Sequence, residues 1–393
     1  MPEIKPMEGN HAIAEAMRQI NPDVVAAYPI TPSTEVVQTF STFVANGLVD
    51  TNFVAVESEH SAMSACTAAS VAGGRVMNAT SSQGLALMWE ILFITSSLRA
   101  PVILTVVNRA LSGNINIHCD HSDSYGARDC GWIQIFGENV QEGYDNLIQA
   151  TRIGEDLGVR LPVMNCIDGF FVSHSYEVLQ VEDDAAVKAF VGPYPAVNPL
   201  LDLHKPISVG PLDLQDYYFE HKHSQLDAYA PALETITKVG KEFGAAFGRE
   251  YGLLEEFMLE DAEYAVVALG SACGVAKDAV EALRADGVKA GLLKIRAYRP
   301  FPAAEIAAAL AGKKAIAIFD RAASYGAAVH PLYSEVTSAL YSAGQLVPAV
   351  DILYGLGGRE ITPDQFVQVF GELPAVAAAG QPAQPVKYLG VRE

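Results

Sequence analysis

The first 180 residues alternate between short apolar segments and longer segments in which apolar residues recur every three or four positions. The short segments predict buried strands, and the longer segments predict amphipathic helices. The predicted strands are residues 23–28, 52–56, 75–80, 101–107 and 161–166, and the predicted helices are residues 34–44, 58–72, 84–97 and 141–154. This order predicts crossover units, in which a parallel sheet carries helices on both faces.

The pattern breaks after this region and then resumes. Residues 181–230 contain Gly192-Pro193 and Gly210-Pro211 among polar and aromatic residues without a period, which predicts an extended connector wrapped on a neighbouring surface. The alternation returns in residues 231–375. Strands are predicted there at residues 265–269, 290–295, 315–319 and 349–353, and helices at residues 231–258, 276–285, 327–343 and from 363.

We therefore expect an α/β protein of two domains. Residues 1–180 form the parallel-sheet first domain, residues 181–230 the connector and residues 231–375 a second, smaller α/β domain. Residues 376–393 form an extended tail that packs on a partner or stays mobile. A chain of 393 residues has room for this arrangement, at roughly 100–200 residues per domain.

Composition narrows the class of protein. The chain carries 26 Lys and Arg against 46 Asp and Glu, a formal charge of −20, which disfavours binding to nucleic acid or anionic lipid because both require a basic surface. No apolar run reaches the roughly 20 residues that span a bilayer, and the amino terminus lacks the regions of a signal peptide. We expect a cytoplasmic protein.

The cysteines and glycines exclude several kinds of site. The five cysteines are widely spaced and include no Cys-x-x-Cys pair, so no disulfide scaffold, zinc ribbon or iron–sulfur cluster is expected within this chain. We interpret them as small buried hydrophobic residues. No Gly-x-Gly-x-x-Gly follows a strand and no phosphate loop is present, so dinucleotide and nucleoside-triphosphate binding have no support.

Four predicted strands end in segments with chemically active side chains. These segments are YPITPS at 28–33, ESEH at 57–60, SSQG at 81–84 and NRALS at 108–112. Ligands of open parallel sheets lie beyond the carboxyl ends of the strands, so we expect the four segments to line one rim. The alternative is that Pro29, Pro32 and Gly84 are ordinary turn residues.

Three residues of these segments have a possible chemical task and a structural alternative. Arg109 follows an apolar strand, and its guanidinium suits a carboxylate or phosphate; the alternative is an ion pair with Glu57 or Asp123. Thr31 offers a hydroxyl that could orient an oxygen-bearing ligand, or it belongs to a helix-entry turn. Glu59 could share a proton with a ring nitrogen, or it is a helix-start acid stabilised by the dipole.

The segment HCDHSD at residues 118–123 also carries reactive side chains. Two histidines and two aspartates could bind zinc or a non-haem metal. They are too close in sequence to enclose a metal unaided, however, and they contain no helical i, i+4 pair. Hydrogen-bonded loop histidines are the better interpretation, and a nucleophilic Cys119–His121 pair lacks the turn that such a nucleophile needs. No metal site is predicted.

Taken together, these motifs resemble one enzyme family. The four strand ends are followed in order by DHSD at 120–123, RDCGW at 128–132, DGF at 168–170, RPFP at 299–302 and YGLGGR at 354–359. The run closely resembles the alpha subunit of multi-subunit pyruvate:ferredoxin oxidoreductase, and it spans essentially the whole chain. The resemblance implies a thiamine pyrimidine-binding first domain and a transketolase C-terminal-like second domain.

The resemblance also implies an activity and its residues. The family oxidises a 2-oxoacid with coenzyme A and ferredoxin, using thiamine diphosphate and iron–sulfur clusters. Its proton-sharing glutamate, which hydrogen-bonds the aminopyrimidine ring, corresponds to Glu59 and not to Glu57. Its ligands for the substrate carboxylate correspond to Thr31 and Arg109. The implied cofactor contacts are Pro29, Glu59, Ser82 and Gln83.

The chain departs from complete thiamine enzymes in one respect. The Gly-Asp-Gly segment that holds magnesium and the diphosphate is missing, and the nearest strings are IDG at 167–169 and ADG at 285–287. The cysteines that bind clusters are missing as well. The resemblance therefore implies a beta subunit that holds the diphosphate, Mg²⁺ and [4Fe-4S] clusters, together with a gamma subunit, a ferredoxin-like delta subunit and external ferredoxin.

The oxidised acid and the catalytic role have alternatives. Pyruvate, converted reversibly to acetyl-CoA and carbon dioxide, is the first hypothesis. Oxalate, 2-oxoglutarate or a branched-chain 2-oxoacid is the second, and the uncharged Thr31 favours a monocarboxylate. A non-catalytic scaffold subunit is the third, and the presence of Glu59, Thr31 and Arg109 together speaks against it.

Overall fold

A computed structural model describes residues 2–392. Met1 and Glu393, which belong to the predicted first domain and tail, lie outside the described residues. The strands are β1 Glu3–Glu8, β2 Val24–Ala27, β3 Asn52–Ala55, β4 Val76–Thr80, β5 Ile103–Asn108, β6 Ile133–Gly137, β7 Val163–Asp168, β8 Tyr176–Val181, β9 Leu254–Phe257, β10 Tyr264–Ala268, β11 Ala290–Ile295, β12 Ala297–Arg299, β13 Ala315–Asp320, β14 Ala349–Leu353 and β15 Val386–Tyr388. The helices are α1 Gly9–Ile20, α2 Thr34–Ala45, α3 Glu59–Ala72, α4 Ser82–Leu87, α5 Trp89–Ser97, α6 Ser122–Gly126, α7 Val140–Glu155, α8 Asp184–Val191, α9 Tyr218–Leu226, α10 Tyr229–Phe247, α11 Ala272–Ala285, α12 Ala303–Leu310, α13 Pro331–Ser342 and α14 Pro363–Ala379.

The first sheet has seven strands in the order β12-β6-β7-β5-β4-β2-β3. Neighbouring strands are parallel except β12, which is antiparallel to β6. Strands β4 to β7 are buried along their whole length, as near-continuous apolar strands are when helices cover both faces of a sheet. The strand order reverses at β2, where Val24 pairs with Asn52 of β3 on one side and with Val76 of β4 on the other.

The second sheet has six strands in the order β15-β14-β13-β10-β11-β9. Five of them are parallel, and the edge strand β9 is antiparallel to β11. Its order reverses at β10, which has β11 on one side and β13 on the other. The chain is therefore an α/β protein with two mainly parallel sheets, as the alternating pattern predicts.

The apolar core runs from one sheet to the other. Helices α1, α7 and α10 pack on one face of the first sheet, where Ile13, Ile148 and Ile236 lie in one buried cluster. A second cluster joins Leu104 of the first sheet to Leu293 of the second. Strand β12, which belongs to the second half of the chain, also extends the first sheet. The two domains thus share buried apolar surface as well as a strand.

The structure differs from the predicted elements in three places. The predicted helix 231–258 ends at Phe247, because Gly248 caps α10 in a left-handed conformation with φ 79° and the following residues return as β9. The predicted helix 84–97 is two helices, α4 and α5, which meet at Met88. Residues 376–379 continue α14, and residues 386–388 form β15 beside β14, so the predicted tail contributes a strand to the second sheet.

Other elements have no counterpart in the sequence prediction. Strand β6 and helices α1 and α12 are among them, and the connector contains α8 and α9. Residues 192–217 of the connector form neither helix nor strand, and Leu200 N–H donates to the carbonyl of Val71 at 2.9 Å. None of the helices described in residues 2–392 is long and apolar enough to cross a membrane.

Candidate active site

The carboxyl ends of β2, β3, β4 and β5 form one rim of the first sheet. Because these four strands are parallel neighbours, the segments that follow them lie side by side, as the sequence predicts. The order reversal at β2 places the segments after β2 and β4 on either side of a topological switch point. Ligands of open α/β sheets bind in the crevice at such a point. The rim therefore forms the candidate functional site.

Glu59 is the first residue of α3, directly after the rim. Ser58 caps this helix, and its side chain accepts a hydrogen bond from the backbone of Ser61. The Glu59 side chain is buried, with the residue 6% exposed, and within residues 2–392 its carboxyl group has no hydrogen-bond or ion-pair partner. A buried carboxyl group normally has a partner, because desolvation without one is costly. Glu59 thus presents an unsatisfied carboxyl group to the crevice.

Gly84 of α4 makes room for this carboxyl group. A Cβ atom at Gly84 would lie 2.7 Å from Glu59 Oε1 and 2.4 Å from Thr80 Oγ1, so any side chain there would displace one of them. The hydroxyl groups of Thr80 and Ser81 are also buried without a hydrogen-bond partner in the described part of the chain. The sequence indicates Gly84 only as a turn residue, but the structure shows that it packs directly against Glu59.

Arg109 directly follows β5 and is 6% exposed. Its Nη1 donates to the carbonyl oxygen of Thr31 at 2.9 Å, and its Nε donates to that of Asn116 at 3.0 Å. No carboxylate pairs with the guanidinium among residues 2–392, and burial lowers the pKa of Arg109. The alternative of an ion pair is wrong. The hydrogen bond that Arg109 donates to Asp123 comes from its backbone N–H, at 2.9 Å, and Glu57 accepts the hydroxyl of Ser61 instead.

Asp123 connects the ends of β4 and β5 through hydrogen bonds. Its carboxylate accepts from the backbone N–H of Ser82 at 3.0 Å, from that of Arg109 at 2.9 Å and from Asn108 Nδ2 at 2.8 Å. Burial raises its pKa to about 6, although these hydrogen bonds oppose the shift. One buried carboxylate thus fixes the ends of β4 and β5 relative to each other. In the sequence, Asp123 belongs to the HCDHSD segment and is considered there as a metal ligand.

The remaining predicted site residues occupy the same rim in different ways. Thr31 and Pro29 are exposed between β2 and α2, and the Thr31 hydroxyl has no hydrogen-bond partner in the described chain. Ser82 Oγ lies 2.6 Å from the Ala110 carbonyl oxygen and 2.6 Å from Gln83 Oε1. Gln83 Nε2 donates to the hydroxyl of Ser112. Ser82 and Gln83 therefore hold the segment after Arg109, whereas Thr31 and Pro29 face solvent.

The HCDHSD segment forms internal contacts. His118 is exposed, whereas Cys119 and His121 are buried, and the Asp120 carboxylate accepts the backbone N–H of Ser122 at 3.0 Å. Cys119, His121 and Asp168 bring one potential ligand atom each to within 4.8 Å of one another. Burial raises the pKa of the Cys119 thiol well above its ordinary value, which disfavours both a thiolate ligand and a nucleophile.

Asp168, at the end of β7, links the two domains. His121 Nε2 lies 2.8 Å from its Oδ1, and Arg321 Nη1 of the second domain lies 2.8 Å from its Oδ2. Ser271, directly after Gly270 with φ 70°, adds its N–H at 3.0 Å and its hydroxyl at 2.6 Å. Burial alone would raise the pKa of Asp168, but His121 and Arg321 outweigh it and hold the pKa well below its usual range.

An exposed apolar surface borders the rim. Helices α4 and α5 carry Leu87, Trp89, Phe93 and Ile94, all exposed, and the rings of Trp89 and Phe93 meet edge to face with centroids 5.6 Å apart. A contiguous exposed apolar group of this kind marks an interaction surface more often than free surface. It begins only a few residues after Gly84, so a partner bound there would also border the crevice.

Comparison with known proteins identifies the class first. Residues 15–241 match the family described as pyruvate flavodoxin/ferredoxin oxidoreductase, thiamine diphosphate-binding, and residues 262–366 match pyruvate:ferredoxin oxidoreductase core domain II. The first part of the chain is thus a thiamine diphosphate-binding domain, and the rim is its strand-end crevice.

Individual relatives narrow the assignment. Pyruvate synthase subunit PorA of Thermotoga maritima is 49% identical over 98% of this chain and 97% of its own. PorA of Methanocaldococcus jannaschii is 42% identical over 95% of each chain. Ketoisovalerate oxidoreductase subunit VorA of Pyrococcus horikoshii is 39% identical over 96% of this chain and 95% of its own. The chain belongs to the 2-oxoacid:ferredoxin oxidoreductase family, as an alpha subunit of a multi-subunit oxidoreductase.

Solved structures share the fold. A 2-oxoglutarate:ferredoxin oxidoreductase from Magnetococcus marinus, with 2-oxoglutarate, coenzyme A and succinyl-CoA bound, aligns with a TM-score of 0.74 at 20% identity. The alignment covers 94% of this chain and 65% of that one. A split-gene transketolase, described as an inactive beta4 tetramer, aligns with a TM-score of 0.55 at 12% identity over 95% and 100% of the two chains. Both support the predicted α/β fold.

Proposed function

We propose that this chain supplies the pyrimidine-binding and carboxylate-binding half of an active site that oxidatively decarboxylates pyruvate to acetyl-CoA and carbon dioxide, with electrons passing to ferredoxin. The observation that carries the proposal is that a carboxyl group and a guanidinium, both without a charged partner in residues 2–392, lie at the same rim. Among residues 2–392, the Glu59 carboxyl group has no hydrogen-bond or ion-pair partner, and the Arg109 guanidinium has no carboxylate partner. A ring nitrogen of the thiamine cofactor would give Glu59 a hydrogen-bond partner, and the carboxylate of a 2-oxoacid would give Arg109 an anion.

Glu59 is assigned to the cofactor. Thiamine diphosphate, when bound, supplies the carbanion stabilisation that release of carbon dioxide requires. The buried Glu59 carboxyl group suits a hydrogen bond to a ring nitrogen of the aminopyrimidine, because it is the acceptor left over at the switch point and Gly84 leaves it space. In this position Glu59 holds a proton at the ring nitrogen and fixes the orientation of the ring. Pro29 borders the same crevice.

Arg109 is assigned to the substrate. A guanidinium has five N–H donors, and two of them already donate to the carbonyl oxygens of Thr31 and Asn116, which fix its plane and leave three donors. A fixed fork of this kind suits a carboxylate. The free hydroxyl of Thr31 lies on the same segment as the carbonyl that Arg109 binds, so it can donate to the same substrate.

The charge of the substrate is inferred from the cations at this rim. Arg109 is the one permanently charged cation in the four strand-end segments, which favours a monocarboxylate such as pyruvate over a dianion such as oxalate or 2-oxoglutarate. The ketoisovalerate relative keeps a branched-chain monocarboxylate as the second candidate. Steady-state assays of the purified complex with a panel of 2-oxoacids decide between them, and a higher kcat/KM for a dianion would refute the assignment.

The rest of the site is assigned to partner subunits. Of the two groups of potential metal ligands in the described residues, one contains Asp168, whose carboxylate already pairs with Arg321, and the other surrounds a lysine ammonium group. Neither suits Mg²⁺ with a diphosphate, because Mg²⁺ needs oxygen ligands that are not neutralised by cations. We therefore assign Mg²⁺, the diphosphate and the [4Fe-4S] clusters to a beta subunit, which we place on the α4–α5 surface.

Gamma and ferredoxin-like delta subunits complete the proposed assembly, and coenzyme A and external ferredoxin are its remaining reactants. We place the enzyme in the cytoplasm. The five cysteines of the chain are buried free thiols, which fits a reducing compartment.

The variant Glu59→Gln tests the proposal, with Glu57→Gln as its matched control. Glutamine keeps the shape of Glu59 but cannot share a proton as a carboxylate does, so we expect the reconstituted complex to lose pyruvate oxidation by at least a hundredfold. Glu57, two residues earlier, is exposed, and Glu57→Gln should retain most of the activity. Near-normal turnover of Glu59→Gln would remove Glu59 from the chemistry and favour a scaffold role.

A further inference from the structure

A cavity lies at the carboxyl edge of the second sheet, and the proposed function leaves it without a role. It has a volume of about 640 Å³ and is lined by the loops that follow β13, β14 and β15, at residues 323–327, 353–356 and 388–392. Sites for small molecules commonly measure roughly 300–1,000 Å³. Loops beyond the carboxyl ends of parallel strands are the usual location for ligands in open α/β sheets.

The lining of this cavity is cationic although the chain is strongly acidic. Arg359 and Arg392 supply the positive charge, and no Asp or Glu lines the cavity among the described residues. Arg359 donates one N–H to the carbonyl oxygen of Gly390, which holds the arginine at the wall of the cavity with other donors left over. Arg392 makes no hydrogen bond or ion pair within residues 2–392. The cavity therefore selects for anions.

His330 adds an unsatisfied donor. Its Nδ1 accepts the backbone N–H of Ser324 at 3.2 Å, so the proton of the neutral ring resides on Nε2. Burial lowers the pKa of His330, which favours this neutral form. Nε2 is buried and has no hydrogen-bond partner in the described chain. Because buried donors normally find an acceptor, a ligand with oxygen acceptors in the cavity would accept the hydrogen bond that His330 Nε2 offers.

The loops also offer backbone and aromatic contacts. Gly326, Gly355 and Gly390 have positive φ angles of 81°, 65° and 80°, which allow the tight turns that bring the backbone to the cavity. Gly355 belongs to the YGLGGR motif at 354–359, in which Gly357 accepts a hydrogen bond from Asn116 while Gly355 and Arg359 line the cavity. Tyr325 is 95% exposed and Tyr388 is 61% exposed, so two aromatic rings at the cavity are available to an aromatic ligand.

We propose that this cavity binds a nucleoside diphosphate, with the diphosphate at the arginines and His330 and the base at the tyrosines. None of its lining residues belongs to the four strand-end segments, and the proposal does not depend on the function proposed for Glu59 and Arg109.

The test is calorimetric titration of the purified complex with ADP, after saturation with thiamine diphosphate and coenzyme A so that sites for those ligands are filled. We expect one ADP per alpha chain. Arg392→Ala and His330→Phe should each weaken ADP binding at least tenfold. Lys241→Ala, which removes an exposed cation from α10, should leave binding unchanged.

Two fragments of the probe test the assignment of its parts. Adenosine and pyrophosphate should each bind more weakly than ADP, and pyrophosphate binding as tight as that of ADP would overturn the contribution of the base. Hydrogen exchange provides a second readout, because ADP should slow exchange in residues 323–327 and 353–359. The absence of saturable ADP binding, or equal binding by wild type, Arg392→Ala and His330→Phe, would overturn the proposal.

Discussion

Replacing Arg109 with alanine should weaken binding of the oxoacid more than it slows the chemical step. Among residues 2–392 this guanidinium has no carboxylate partner, so its removal leaves no buried acid unpaired. The two carbonyl oxygens that it binds, those of Thr31 and Asn116, belong to residues that are not fully buried and can accept from water. Asp123 keeps its hydrogen bond to the residue, because that bond uses the backbone N–H.

The magnitude follows from the hydrogen bonds that are lost. A hydrogen bond to a charged group contributes about 1.5–3 kcal/mol, and about 1.4 kcal/mol corresponds to a factor of ten. We therefore expect the KM for pyruvate to rise about ten- to a hundredfold in Arg109→Ala. The KM of Arg109→Lys should lie between those of Arg109→Ala and wild type, since lysine keeps the charge but not the planar fork.

The assay is pyruvate-dependent reduction of ferredoxin by the reconstituted complex, with pyruvate varied at saturating coenzyme A and thiamine diphosphate. Arg128→Ala serves as the matched control, because Arg128 donates to the Tyr125 carbonyl oxygen and pairs with the exposed Asp129, away from the four strand-end segments. An unchanged KM in Arg109→Ala, with the control also normal, would show that the substrate carboxylate is bound elsewhere.

Three further predictions follow from the same contacts. Gly84→Ala should lower kcat at least tenfold without unfolding the chain, because the added methyl group meets the Glu59 carboxyl group. Turnover assays and circular dichroism measure the two effects, and normal turnover would contradict the role of Gly84. Asn116→Ala should raise the pyruvate KM several-fold with little change in kcat, as it frees the segment that supports Arg109. Asp168→Asn should destabilise the chain by about 3–5 kcal/mol, the usual cost of breaking a buried ion pair. Since the pKa of Asp168 is below its ordinary value, wild type should lose this contribution only as the pH falls below about 4, and acid titration followed by circular dichroism would reveal any earlier loss.

The shared rim of the four strand ends, where the candidate site lies, could be predicted from the sequence, because it depends on local pattern. Apolar runs identify β2 to β5, and in a parallel sheet their ends must meet, so Glu59 and Arg109 are brought to one rim by topology alone. The environment of each residue could not be predicted in this way. Whether Arg109 pairs with Asp123 or with a carbonyl oxygen depends on the path of a loop without a period.

The sequence pattern could not predict contacts between distant parts of the chain. Asn116 Nδ2 donates to the Gly357 carbonyl oxygen at 3.0 Å across 241 residues, and Arg321 reaches Asp168 across 153. Neither pair has a spacing that predicts proximity, because tertiary packing alone brings the two sheets together. The end of α10 was mispredicted for a local reason, since the apolar spacing of residues 231–258 continues past Gly248 into β9.

The two sheets use the same topological position in opposite ways. In the second sheet the switch point at β10 is filled, because Ser271 and Arg321 enclose the carboxylate of Asp168 from the first domain. This contact neutralises the Arg321 charge within the protein. At the rim of the first sheet, within the described residues, the acid Glu59 has no partner and the cation Arg109 has no carboxylate that neutralises it. A folded domain does not retain two such groups for stability, since pairing or removing them would cost less. Their persistence at one rim therefore supports the proposal that cofactor and substrate bind there.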